Sequence, residues 1–249
     1  MKFCMTADSE VGCVRDNNED MILVNKQFIR NGHCKVEINT QATDRFIIAL
    51  ADGMGGHNSG EVASQDVLQN LEFYYHDLPS GLSPGDFNEM IFEWLESINN
   101  IIDSKGHSQP KFRDMGTTLV AMAYYGGEYY WMNCGDSRLY QLNGGVLTQI
   151  STDHSLSNLI GSSEHSNIIT NCIGGGCKTS YLDMVKFPKS NIQPGNTFML
   201  CSDGLNDMLT DQEIEQLLAD GADATALCQA AIKAGGYDNV SVCVINIED

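Results

Sequence analysis

The sequence predicts an α+β fold: two antiparallel β-sheets packed face to face, with a helix pair on each outside. Three observations carry this. Apolar strand-type runs outnumber helical stripes and do not alternate with them one for one, which disfavours a doubly wound or barrel arrangement. The helical stripes fall in two pairs, one after the first third of the chain and one near its end. Between them, strand-type runs are separated only by short glycine turns, the pattern of a meander.

In chain order, residues 2–8, 20–26 and 45–51 read as strands. Asn31-Gly32 resembles a hairpin tip, which makes residues 27–43 a projecting β-excursion. A first helix is capped by Asn58 or Ser59, has Glu61 in its first turn, and carries Val67, Leu68, Leu71, Tyr74, Tyr75 and Leu78 at helical spacing. A second is capped by Ser83 with Pro84 in the first helical position. Its stripe is Phe87, Ile91, Trp94, Leu95, Ile98, Ile101 and Ile102. Strands follow at 117–125, 128–134, 137–142 and 146–149. Residues 151–180 are polar and weakly periodic, a flap or loop beside a site. Strands at 181–187 and 196–202, helices at 211–220 and 222–235, and a strand at 239–247 complete the chain.

The absence of repeats, low-complexity linkers and composition breaks predicts one domain over 1–249. The net charge of -19 and a pI of about 4.4 exclude nucleic acid and anionic membranes as partners, because both need a basic face. No segment approaches the roughly 18 consecutive apolar residues of a membrane span, and MKFCMTADSE reaches acidic residues too soon for a signal peptide. Nine cysteines, an odd number set mostly in or beside apolar runs, read as reduced thiols of a cytoplasmic protein. Cys172 and Cys177 flank three glycines, with no second Cys or His pair nearby to complete a zinc site.

Acidic residues at glycine-rich strand ends carry the chemistry. They lie in RDNNED (Arg15 to Asp20), ADGMGG (Ala51 to Gly56), NCGDSR (Asn133 to Arg138), LCSDGL (Leu200 to Leu205) and GYDNVSV (Gly236 to Val242). A carboxylate at such a corner points into a cleft while the backbone turns away. Several brought together cannot all stay ionised unless a cation neutralises them. A hard divalent ion bound by oxygen does so at least cost, which predicts a metal-dependent hydrolase. Taken singly, Asp52, Asp203 and Asp238 each read as turn or cap residues, the usual role of Asp beside Gly; the set together points to the metal.

The ordered set RxxNED, DGMGG, GTT, GDSR, SDG and DN resembles the metal-dependent serine/threonine protein phosphatases of the 2C type, in their bacterial form, from about residue 9 to the C-terminus. The resemblance implies a four-layer αββα sandwich with two divalent cations, Mn²⁺ or Mg²⁺, between the sheets and a weaker third. It implies that Asp52 bridges both metals, that Gly53 gives its carbonyl to one, and that Asp203 and Asp238 bind the other. Asp136 resembles the third-metal ligand shared with Asp203; the rival reading pairs it with Arg138. Glu19, Asp20 and Asn239 line the cleft, Asp20 as the acid that orients metal-bound waters. Arg15 resembles the phosphate-gripping arginine; the rival reading is a surface ion pair with Asp16 or Glu19.

The implied activity is hydrolysis of phosphoserine and phosphothreonine in proteins by a water activated between two metals, acting as a monomer opposite a cognate kinase. The alternatives are a phosphoprotein-binding regulator of weak activity and a small-molecule phosphomonoesterase. No CxxxxxR segment is present, so a cysteine-based phosphatase is excluded. Thr117 and Thr118 read as strand residues under the site, His154 as structural, and His57 as a helix-start surface residue. Met54 occupies the position where some eukaryotic relatives place a general-acid histidine. Relative to bacterial relatives the flap is short, with Glu164 the only carboxylate over 155–180. No flap ligand for a third metal is therefore expected, and a less covered cleft predicts altered substrate selection.

Overall fold

A computed structural model describes residues 1–55, 59–162 and 168–249. Two six-stranded antiparallel sheets dominate it. One runs, edge to edge, β11 (Val146–Gln149), β10 (Arg138–Asn143), β14 (Thr197–Cys201), β15 (Val240–Glu248), β1 (Lys2–Glu10) and β4 (Gly32–Asn39). The other runs β13 (Asp183–Lys186), β9 (Glu128–Cys134), β8 (Leu119–Tyr125), β5 (Arg45–Ala51), β2 (Met21–Val24) and β3 (Gln27–Ile29). A small triplet, β12 (Ile173–Gly174), β7 (Gly116–Thr117) and β6 (Gly53–Met54), lies beside the second sheet.

The layering follows from period-two alternation. In β5, Phe46, Ile48 and Leu50 face the other sheet, joining Phe3, Met5, Ile245 and Val120 in a core between the sheets. Ile47, Ala49 and Ala51 face outward and are covered by α1 (Gly60–Asp77) and α2 (Pro84–Ser108) through Val67, Leu71, Tyr75, Phe87, Ile91 and Trp94. On the opposite outside, Met199, Val240, Val242 and Val244 meet α4 (Asp203–Asn206), α5 (Asp211–Ala219) and α6 (Ala224–Ala234). Three cores make four layers, as expected.

Helix starts follow side-chain chemistry. Ser83 accepts from the Asp86 backbone N–H with Pro84 in the first turn. Thr210 and Glu213 form a reciprocal capping box. Asp223 caps α6, so that helix begins two residues later than its periodicity implies. Ser59 takes the N-cap position of α1; Asn58, the other candidate, lies outside the described residues.

Three expectations are corrected. Residues 27–43 are not a projecting hairpin: β3 pairs with β2 and β4 with β1, so this segment crosses from the edge of one sheet to the edge of the other, turning at left-handed Asn31. Two apolar edges in different layers offered it more pairing than its own two arms did. Ile101 is 47% exposed, one position off the buried stripe that Ile98 and Ile102 share. The 151–180 segment holds a short helix, α3 (Leu156–Ile160), and β12.

Candidate active site

Strand pairing gathers the acidic corners at one end of both sheets. Ala51, before Asp52, pairs with Met21, after Asp20. Cys134, before Asp136, pairs with Leu119. Cys201, before Asp203, pairs with Arg138 and with Val242, and Val240, after Asp238, pairs with Glu10. Antiparallel neighbours place the end of one strand beside the start of the next, so all five segments open on one cleft.

Close backbone packing fixes the corners. A Cβ on Gly53 would lie 2.2 Å from the Gly60 carbonyl oxygen and 2.6 Å from that of Glu19. A Cβ on Gly204 would lie 1.9 Å from the Asn239 carbonyl oxygen. Only glycine permits such approach. The Gly53 N–H donates to the Glu19 carbonyl at 3.2 Å, and the Asp52 N–H to Thr118 Oγ1 at 3.0 Å. Thr117 Oγ1 and the Thr118 N–H both donate to the Asp52 carbonyl, at 2.8 and 2.9 Å. The two threonines therefore support the corner from beneath, as expected. Asn239 ties three segments: its Oδ1 accepts from the Glu19 N–H at 2.9 Å, and its Nδ2 donates to the Val11 and Asn17 carbonyls. Ser202 Oγ donates to Asp20 Oδ2 at 2.7 Å.

The electrostatics show crowding. Burial first, then the neighbouring Asp20, Asp203, Asp136 and Asp238, push the Asp52 carboxyl well above its ordinary range. Burial lifts Asp203 to about 8, with Asp136 and Asp207 adding, and lifts Asp20 and Asp136 to about 6. Glu19 is also raised, chiefly by burial. One oxygen each of Asp20, Asp136 and Asp203 is buried with no hydrogen-bond partner. Among the described residues, no three His, Cys, Asp or Glu side chains close into a finished metal cage. Asp238 is drawn instead to Arg15, whose guanidinium nitrogen lies 2.7 Å from its Oδ2. Hard cations such as Mg²⁺ keep several waters and use few carboxylates, so a loose ring of oxygens still fits them.

Each arginine takes a partner other than the one its rival reading named. Arg15 pairs with Asp238, not with Asp16 or Glu19, because strand pairing brings Asp238 across the cleft. Arg138 does not pair with Asp136. Its Nε lies 3.0 Å from both Asp153 oxygens, its NH2 donates to Asp153 Oδ2 at 2.7 Å, and its NH1 donates to Tyr140 Oη. His154 is structural, as expected: its Nδ1 accepts from the Gly135 N–H at 3.1 Å and its Nε2 lies 3.0 Å from Asp183 Oδ2, which steadies the turn before Asp136. His57 and Glu164 lie outside the described residues.

Sequence reasoning missed Arg30. From the crossover, its Nε donates to the Asp20 carbonyl at 2.8 Å, and NH2 donates to the Glu61 carbonyl at 2.9 Å and to Ser64 Oγ at 2.7 Å. Next to it, Asn31 Oδ1 accepts from Asn18 Nδ2 at 3.1 Å. The only hint in the sequence was an arginine between a strand and a turn.

The chain belongs to the protein phosphatase 2C family, whose model matches residues 33–233. The serine/threonine protein phosphatase PstP of Mycobacterium tuberculosis is 31% identical over 98% of this chain, which spans only 45% of PstP's length. Among solved structures, the S. agalactiae serine/threonine phosphatase superposes with a TM-score of 0.82 at 26% identity, over 99% of this chain and 100% of that one. The catalytic domain of PstP in complex with two manganese ions gives a TM-score of 0.74 at 30% identity over the full length of both chains.

Proposed function

We propose that this protein hydrolyses phosphoserine and phosphothreonine in other proteins, working as a single catalytic domain opposite a serine/threonine kinase in the cytoplasm. The observation that carries the reading is the convergence of Asp20, Asp52, Asp136, Asp203 and Asp238 on one cleft, where the first four carboxyls are pushed up and three buried oxygens lack partners. Unpaired carboxylate oxygens are hard donors, so the residues fit two divalent cations, Mn²⁺ or Mg²⁺. Asp52, the Gly53 carbonyl, Asp203 and Asp238 would hold them, with Asp136 toward a weaker third. Bound there, the ions would supply an activated water and neutralise charge on the phosphoryl group.

The chain's own groups do the rest. Thr117, Thr118 and Gly53 fix where Asp52 points. Asp20, held by Ser202 at one oxygen, can accept a hydrogen bond from cleft water at its unpartnered Oδ1 and so orient it. The Arg15 side chain is 53% exposed at the cleft. Released from Asp238, its paired N–H donors can grip two phosphate oxygens. Asn239 keeps the Glu19–Asp20 loop against the Asp238 turn.

The test is hydrolysis of a phosphothreonine peptide by metal-stripped protein with Mn²⁺, with Mg²⁺ and with neither, beside the Asp238→Ala variant. Activity that requires added metal and falls about a hundredfold or more in the variant is expected, the scale for losing a group that positions the reaction. Folded protein inactive with both metals would overturn the reading.

A further inference from the structure

Cys172 and Cys177, which the active-site argument does not use, are free thiols whose sulfurs lie 3.3 Å apart. The turn between them runs through Gly174, Gly175 and Gly176 at φ of +75°, +60° and +78°. Three successive left-handed residues are tolerated only by glycine. The turn is tied down. The Gly174 N–H donates to Asn99 Oδ1 at 2.7 Å and the Gly175 N–H to the Met115 carbonyl at 2.7 Å. The Ser180 hydroxyl lies within hydrogen-bond reach of both Asn99 Oδ1 and the Cys172 carbonyl and can donate to either. The fold therefore presents two sulfurs to each other in a fixed frame.

That frame abuts the site. Ile173 and Gly174 pair with Thr117 and Gly116, which in turn pair with Gly53 and Met54. A Cβ on Gly116 would stand 2.6 Å from the Gly175 nitrogen, so the two backbones touch. The Thr117 hydroxyl holds the Asp52 carbonyl. A displacement at Cys172 thus reaches Asp52 through two strand pairings.

We propose that Cys172 and Cys177 are a peroxide-sensitive dithiol, a modification site whose closing to a disulfide shifts the β12–β7–β6 triplet and slows catalysis; the effect on catalysis rests on the phosphatase reading above. Cys177, the more exposed of the two, reacts first. Its thiolate attacks one oxygen of hydrogen peroxide; an S–O bond forms, the O–O bond breaks, and hydroxide leaves to take up a proton as water. The Cys172 thiol then attacks the Cys177 sulfur; the S–S bond forms, the S–O bond breaks, and the departing hydroxide takes the Cys172 proton as a second water. Two thiols lose two electrons and the peroxide gains them. Burial raises the Cys172 pKa, which leaves Cys177 to meet the peroxide first. The sulfurs must close from 3.3 Å to about 2.05 Å, and the tied turn passes that movement to its neighbours.

The experiment treats metal-loaded wild type, Cys13→Ser and Cys177→Ser with hydrogen peroxide, then digests without reductant and follows phosphopeptide turnover in parallel. Cys13→Ser removes a separately exposed thiol. Expected is a Cys172–Cys177 cross-linked peptide lighter by two hydrogens in wild type and Cys13→Ser, reversed by dithiothreitol. With it, turnover should fall about tenfold, a fraction of the hundredfold that a displacement on the order of 1 Å can cost, while Cys177→Ser keeps its rate. Both thiols staying alkylatable while Cys13 oxidises would overturn the modification site, and a disulfide formed at unchanged turnover would overturn its coupling to the cleft. If the reduced protein shows no phosphatase activity, the functional reading fails, and the cross-link still decides the dithiol.

Discussion

Substituting Gly53 by alanine isolates how much of the site depends on one close approach. The added Cβ would meet the Gly60 carbonyl oxygen at 2.2 Å and the Gly60 carbonyl carbon at 2.4 Å. Both are backbone atoms at the start of α1, so no side chain can swing aside. Ordinary contact begins near 3.4 Å, so the Asp52–Gly53 corner must move by about 1.2 Å. Overpacking of this kind costs about 1–3 kcal/mol, and for a chain of this size about 2 kcal/mol lowers Tm by about 4–8 °C. Misplacing a metal-bearing carboxylate by about 1 Å costs on the order of a hundredfold in rate. Gly32→Ala is the matched control, because its Cβ meets nothing within 4 Å and its backbone is not left-handed. Phosphopeptide turnover and thermal unfolding are measured for both variants. A Gly53→Ala protein with turnover within threefold of wild type and an unshifted Tm would refute the reasoning.

Two further outcomes are expected. Arg30→Gln removes three hydrogen bonds to the Asp20 carbonyl, the Glu61 carbonyl and Ser64. With charged hydrogen bonds at about 1.5–3 kcal/mol each, discounted for a half-exposed group, the loss is about 2 kcal/mol; turnover falls with it because Asp20 loses its anchor, and an unchanged Tm and rate would show that Arg30 braces nothing. In metal-free protein, Asp203 titrates at about 8 and Asp20 and Asp136 at about 6, all above their ordinary value. Folded-state values that are raised give stability fully present below the unfolded pKa and lost as pH climbs through the folded ones. Tm of metal-stripped protein should therefore fall between pH 5 and 8, Asp203→Asn should flatten the fall, and Mn²⁺ or Mg²⁺ should oppose it by binding the native state. A flat profile without metal sinks this assignment.

The layers were legible in the sequence because periodicity reports burial. Strands such as 45–51 and helices such as the Phe87–Ile102 stripe each had one or two faces that had to be covered. The acidic corners were legible because acidic residues at strand ends recur in five segments, three of them with Asp directly beside Gly, in an order that resembles one family. What sequence reasoning could not reach depended on partners distant in the chain. Arg15 contacts Asp238, a residue 223 positions away, and Arg138 takes Asp153 in place of the nearer Asp136. The 27–43 segment had a plausible local turn, yet its strands found better edges in two different sheets. That crossing is what delivers Arg30 to Asp20. Local propensity, patterning and motif order are properties of short windows, so the chain alone determined its class, its layers and the acidic set. Which charge meets which, which oxygens are left unpaired, and that two thiols face each other beside the site were decided only when the strand ends were brought together.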